Sequence, residues 1–124
     1  MDILEKKIND IQIITLGGRM DAYSSNDVER QLNSLIEANQ VKIILNLTGL
    51  EYISSSGLRV LLATLKKSRK ALGDIRLAAM RPYVKEVFDI AGFTQLFKIF
   101  DQEEAAIDSF KVSFTFSSFM NSKE

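Results

Sequence analysis

The sequence predicts a single α/β domain: a mixed sheet of about five strands with about four helices, in the order β-β-α-β-α-β-α-β-α. Short β-branched runs alternate with stretches of helical periodicity, and turn or capping residues stand at most of the boundaries. The chain of 124 residues is 46% apolar and 26% charged, the balance of one soluble globular core. Such an order implies right-handed crossovers, with helices on one side of the sheet or both.

The elements follow in turn. Residues 2–8 and 11–16 are apolar-rich runs separated by Asn9-Asp10, a pair that tolerates positive φ, so a hairpin is expected. The second run is expected to stop at Gly17-Gly18, leaving Gly18 to Asp21 as a loop. Ser24-Ser25-Asn26-Asp27 supplies an N-cap and a first-turn acid, and Val28, Leu32, Leu35 and Ile36 then form one helical stripe. Residues 41–47 are β-branched and nearly continuously apolar, as a strand covered on both faces would be. Thr48-Gly49-Leu50 leads on to Glu51-Tyr52-Ile53-Ser54-Ser55-Ser56-Gly57.

Beyond Gly57, Leu58, Leu61, Leu62, Leu65 and Leu72 trace a second helix, with Gly73 in the expected C′ position. Five basic residues ride on it (Arg59, Lys66, Lys67, Arg69, Lys70), and no acid lies between Tyr52 and Gly73. Four of the five lie in the last turns, where cations complement the helix dipole; the other reading is a docking surface for an acidic partner. Residues 75–79 read as a strand. Pro82 then opens a third helix through Val84, Val87, Phe88 and Ala91, closed by Gly92. Residues 97–100 read as a last short strand, and Asp101 and Glu104 form a capping-box variant opening a fourth helix to about Lys111.

Composition excludes several functions. Sixteen basic and sixteen acidic residues give no net charge, so nothing global favours nucleic acid or an anionic membrane. No apolar window approaches a membrane span, and the N-terminus lacks an apolar signal core. The absence of cysteine fits a reducing compartment, and a cytoplasmic location is expected. With no histidine the usual base for an activated serine is missing, and no lysine follows the serines at the Ser-x-x-Lys spacing, where Arg59 stands. No metal cluster or cofactor motif is apparent, and the chain is expected not to be an enzyme. A receiver domain would need an aspartate where Asn46 stands, and no phosphate-binding Gly-x-x-x-x-Gly-Lys motif exists.

The serine run carries the chemistry. One serine before a helix is an ordinary N-cap, but three followed by Gly57 exceed what capping requires. They put modifiable hydroxyls at a helix N-terminus, where backbone N–H groups and the dipole accommodate phosphate. Gly57 is expected to let a partner's backbone or a phosphate approach the turn.

With Gly18-Arg19-Met20-Asp21-Ala22 and the stretch Val84 to Phe93, the segment Leu47 to Leu62 resembles the STAS domain of bacterial anti-sigma factor antagonists. The resemblance covers roughly residues 1–111, a STAS-like domain, and leaves 112–124 as an aromatic C-terminal tail. It implies a partner-switching protein that binds an anti-sigma factor with serine kinase activity, releases sigma factor, and is reset by a phosphatase. The implied phosphoacceptor is Ser56, with Ser55 as second choice, and the implied partner surface is Asp21, Ser54, Ser55, Ser56, Gly57, Leu58 and Arg59. Many family members carry an acid two places before the phosphorylated serine, where this chain has Ser54. The alternative is an unphosphorylated STAS scaffold, or a regulatory subunit of a signalling assembly or of a membrane protein.

The tail holds an alternation the family pattern does not explain: four of the eight phenylalanines lie between Phe110 and Phe119. Packing on the domain and weak self-association through an added strand are the two readings.

Overall fold

The computed structural model describes residues 1–111. Strands β1 (Asp2–Ile8) and β2 (Ile11–Met20) form the expected antiparallel hairpin, with Asn9 at φ 55° in its turn. They are followed by α1 (Ser24–Glu37), β3 (Lys42–Ile53), α2 (Ser55–Lys70), β4 (Asp74–Ala78), α3 (Pro82–Ile90) and β5 (Ile99–Phe100). A fourth helix, α4, spans 103–111. The sheet order is β1-β2-β3-β4-β5, and every pair after the hairpin is parallel.

Alternation along the strands divides the core. Ile14, Leu16, Ile43, Leu45, Leu47, Ile75 and Leu77 face α1, α2 and α3, with Phe88 of α3 packed edge-on against Phe93 and Phe97. Ile11, Ile13, Ile44 and Ala78 face α4 through Ala106, Ile107 and Phe110. Polar groups fix α4 in place. Glu103 accepts a hydrogen bond from Asn46 (3.0 Å) and pairs with Lys6 (2.9 Å). Arg76, buried, donates to Ser109 (2.7 Å), lies 3.8 Å over the Phe110 ring and pairs with Asp74 (3.0 Å).

Several boundaries differ from expectation. Gly17-Gly18 does not end β2: Gly17 pairs with Gly49 and Gly18 with Leu50, through two register shifts, and the strand runs on to Met20. The glycines are there because the two chains run close, a Cβ on Gly49 falling 3.2 Å from the Gly17 Cα. For the same reason β3 passes through Thr48-Gly49-Leu50 and reaches Ile53. The left-handed C′ residue of α2 is Leu72 (φ 68°), not Gly73. The Leu72 N–H donates to the Arg69 carbonyl (3.0 Å) and the Gly73 N–H to that of Ser68 (2.8 Å), the Schellman pair. Gly73 is required by space, since a Cβ there would lie 2.1 Å from the Val41 carbonyl oxygen. β4 begins at Asp74, one residue early. β5 is confined to residues 99–100 because Phe97 turns into the core. α4 starts at 103 rather than beside Asp101. Pro82 at the start of α3 and Gly92 (φ 77°) after it stand as expected. The expectations for the aromatic tail lie outside the described residues.

Candidate functional site at the strand-to-helix junction

The parallel register Arg19 with Tyr52 and Met20 with Ile53 brings the ends of β2 and β3 side by side. One residue further, the Ser54 N–H donates to the Met20 carbonyl (2.9 Å), so the start of α2 is tied to the residue preceding Asp21. Asp21 and the serine run thus share the carboxyl edge of the parallel sheet, where open α/β sheets commonly place their sites.

The three serines are not equivalent. Ser54, in extended backbone (φ −84°, ψ 170°), is the N-cap: its Oγ accepts from the Gly57 N–H (3.1 Å) and its carbonyl from the Leu58 N–H (2.9 Å). Ser55 and Ser56 are the first two helical residues, whose amides have no partner within the helix. Ser55 is exposed and Ser56 half-buried. No acid occupies the first turn of α2, so the positive end of its dipole carries no side-chain counter-charge there.

Gly57 does not open the turn to a partner, as the sequence suggested; it is buried. A Cβ there would lie 2.8 Å from Ile53 Cγ1 and 3.2 Å from both Cγ and the carbonyl oxygen of Met20. Glycine lets α2 sit directly on the end of β2. Leu58 turns into the core, while Arg59 is exposed.

Asp21, which the sequence leaves as partner surface, loop residue or helix-entry cap, caps α1, where an N-cap was expected within Ser24 to Asp27. Tyr23 occupies the N-cap position with no side-chain cap of its own. Asp21 Oδ1 accepts from the N–H of Tyr23 (3.0 Å), the N–H of Ser24 (2.9 Å) and the Ser24 hydroxyl (3.0 Å). The Ser24 N–H, then its hydroxyl, hold the Asp21 carboxyl below the usual carboxylate range, with Arg19 also contributing. Asp21 therefore presents a fixed negative charge at this edge. Two residues that sequence reasoning missed support it: Arg19 lies 4.1 Å over the Tyr52 ring. Only the register of β2 on β3 could have paired them.

Of the five basic residues on α2, Lys67 donates to Asn33 (3.2 Å), and Arg69 pairs with Asp74 (2.9 Å) and donates to the Leu96 carbonyl (2.9 Å). These two tie the helix to its neighbours, while Arg59, Lys66 and Lys70 are exposed. Among the described residues no cluster of three or more carboxylates could hold a metal ion, and no helix is long and apolar enough to cross a membrane.

Comparison with known proteins agrees with this architecture. The STAS domain family model matches residues 3–106. BtrV of Bordetella bronchiseptica, named for the anti-sigma factor antagonist class, is 34% identical over 113 residues, 91% of this chain and 97% of BtrV. The anti-sigma F factor antagonist of Paenibacillus polymyxa is 29% identical over 103 residues, 82% of this chain and 88% of that protein. Among solved structures, the Bacillus anti-sigma factor antagonist SpoIIAA in its unphosphorylated form superposes with a TM-score of 0.79 at 22% identity, covering 89% of this chain and 96% of that one. Its phosphorylated form gives 0.71 at 22% identity, covering 87% and 98%. With a family match across most of its length and a relative more than 30% identical along nearly all of it, the chain belongs to the STAS domain family.

Proposed function

We propose that this protein is an anti-sigma factor antagonist working by partner switching, a binding module and kinase substrate rather than an enzyme. Its partners are an anti-sigma factor with serine kinase activity and a phosphatase that restores the unmodified form. The names of its relatives support the class, and SpoIIAA, a protein of the same fold, has been solved with and without phosphate. The observation that carries the reading is the position of Ser56: second residue of α2, half-exposed, beside a cap already supplied by Ser54. Its hydroxyl can take a phosphate without the helix losing its N-terminal hydrogen bond.

A phosphate brings about −1.5 to −2 charge to the positive end of α2, so the fold survives modification. What changes is the surface formed by Asp21, Ser54 to Leu58 and Arg59. Its one fixed anion, Asp21, is joined by a dianion, and a partner fitted to the unmodified surface is repelled. Leu58 and Gly57 contribute by seating the turn on β2 and β3, and Ser54 by capping it.

Incubation with a candidate kinase anti-sigma factor and ATP, followed by mapping of the phosphate by mass spectrometry, tests the assignment. Phosphate on Ser56 is expected; phosphate found only elsewhere refutes that assignment. Ser56→Asp is expected to weaken the complex at least tenfold with a nearly unchanged melting temperature. A large loss of stability would instead make Ser56 a structural residue.

A further inference from the structure

Of the five cations on α2, four stand in its C-terminal half, where they complement the dipole, and two of those are tied to neighbouring elements. Arg59 does neither. It is the fifth residue of the helix, little more than one turn from the positive end, and it is exposed. Among the described residues it pairs with no carboxylate. A cation near that end works against the helix dipole, so an anion beside it would relieve an unfavourable placement.

The buried face of α2 fixes where Arg59 stands. Gly57, Leu58, Leu61, Thr64, Leu65 and Ser68 turn inward. At about 100° per residue, Arg59 then falls near the middle of the outward face, between Ser55 and Ser56. Helical side chains lean toward the N-terminus and cover the turn before their own Cα, so Arg59 leans over the two serines. Ser56 is its neighbour at i−3 and Ser55 at i−4, with about 5–6 Å between Cβ atoms. An anion N-terminal to a cation at this spacing is the favourable order for an ion pair on a helix.

The other charged groups at this edge are engaged or set apart. Asp21 is bound into the first turn of α1, Arg19 lies over the Tyr52 ring, and Arg81 donates from Nε to the Thr48 carbonyl (2.8 Å). Glu51 is exposed on β3, ahead of the Ser54 cap. Lys66, the next cation on the outward face of α2, lies about 10 Å further along the axis.

We infer that Arg59 is the counter-ion of the phosphate on Ser56. Exposed in the unmodified chain, it folds back over the first turn of α2 when the serine is modified and closes a bidentate pair on the phosphate oxygens. The inference rests on the switch reading for the occurrence of that phosphate, and it deepens that reading. Modification changes the surface twice: a dianion arrives, and the cation that an acidic group of the partner would have met is withdrawn.

Phosphoserine introduced at position 56 of the full chain during translation tests the pair without any kinase. Its second ionisation, ordinarily at a pKa of about 6, is followed by ³¹P NMR. Arg59→Gln is expected to raise that pKa by about half a unit, because the adjacent cation favours the dianion. Arg59→Lys, which keeps the charge but not the fork, is expected to recover part of the shift, and Lys66→Gln to leave the parent value unchanged. In a second measurement, Arg59→Gln should lower the melting temperature more in a Ser56→Glu chain than in the parent. A pKa that ignores Arg59, an equal rise in Lys66→Gln, or equal melting losses in the two backgrounds overturns the inference. A raised pKa together with kinase phosphate mapped only elsewhere upholds the pair and refutes the Ser56 assignment, so the two readings fail separately.

Discussion

Gly57→Ala tests whether the serine edge is held by packing. The new Cβ would lie 2.8 Å from Ile53 Cγ1, and Ile53 is 4% exposed, so that side chain cannot swing into solvent. It would also lie 3.2 Å from the Met20 carbonyl oxygen, a backbone atom held by the Ser54 N–H and unable to yield. Forcing a methyl group into such a contact costs about 1–3 kcal/mol. Replacing glycine by alanine within a helix returns up to about 1 kcal/mol, and less in the first turn. The net expectation is a loss of about 1–2 kcal/mol, or roughly 4–8 °C in melting temperature for a domain of this length. Thermal unfolding followed by circular dichroism measures it, with Ser55→Ala as a control expected to stay within about 0.5 kcal/mol. An unchanged or raised melting temperature would show that α2 does not bear on β2 at Gly57, and the seating of Ser56 would lose its basis.

Ser54→Ala removes the acceptor of the Gly57 N–H and is expected to cost about 1 kcal/mol, with amide exchange accelerated in the first turn of α2 and nowhere else. Leu72→Gly is expected to stabilise the chain by about 1 kcal/mol in denaturant titration, because Leu72 holds φ 68° while 94% exposed and buries almost nothing in return. For Glu103, burial raises the carboxyl pKa, but the Asn46 hydrogen bond and Lys6 together outweigh it and leave the pKa below its usual value. A depressed folded pKa gives stability that is present above the unfolded value of about 4.3 and lost as pH falls through the folded one. Melting temperature should therefore fall less steeply below pH 5 in Glu103→Gln than in the parent chain.

The order of elements was legible because the local signals agreed with the tertiary ones: β-branched runs 11–16 and 41–47, the Val28-to-Ile36 stripe, Pro82 and Gly92. Where the structure departs from the sequence reading, the glycines serve close approach within the chain itself, not strand ends, a C′ turn or room for a partner. Gly17, Gly49, Gly57 and Gly73 each face another chain segment, and no local pattern says which segment that is. Hence β2 and β3 proved longer than their apolar runs, and the C′ turn fell to Leu72. In the candidate site, the serine run and Asp21 stood out as residue types, but their division of labour did not. Asp21 caps α1 and Ser54 caps α2 through contacts two or three residues away, so which of several adjacent polar residues takes the cap is settled by the backbone geometry, while the stacking of Arg19 on Tyr52 depends on the parallel register of β2 and β3.

That division bears on the place where the chain departs from the family pattern. The position two before the implied phosphoacceptor is the N-cap of α2, and serine and acid both satisfy an N-cap by accepting from the same backbone N–H. They differ in charge. An acid would neutralise part of the positive helix end permanently; Ser54 leaves it uncompensated, and the first turn adds no acid of its own. Asp21 does not fill the gap, because its charge is engaged with the first turn of α1. Under the proposed switch, a phosphate on Ser56 would thus be the first anion at the start of α2, meeting less repulsion than beside an acidic cap. Ser54 in place of an acid then preserves the capping and widens the electrostatic difference between the two states of the surface.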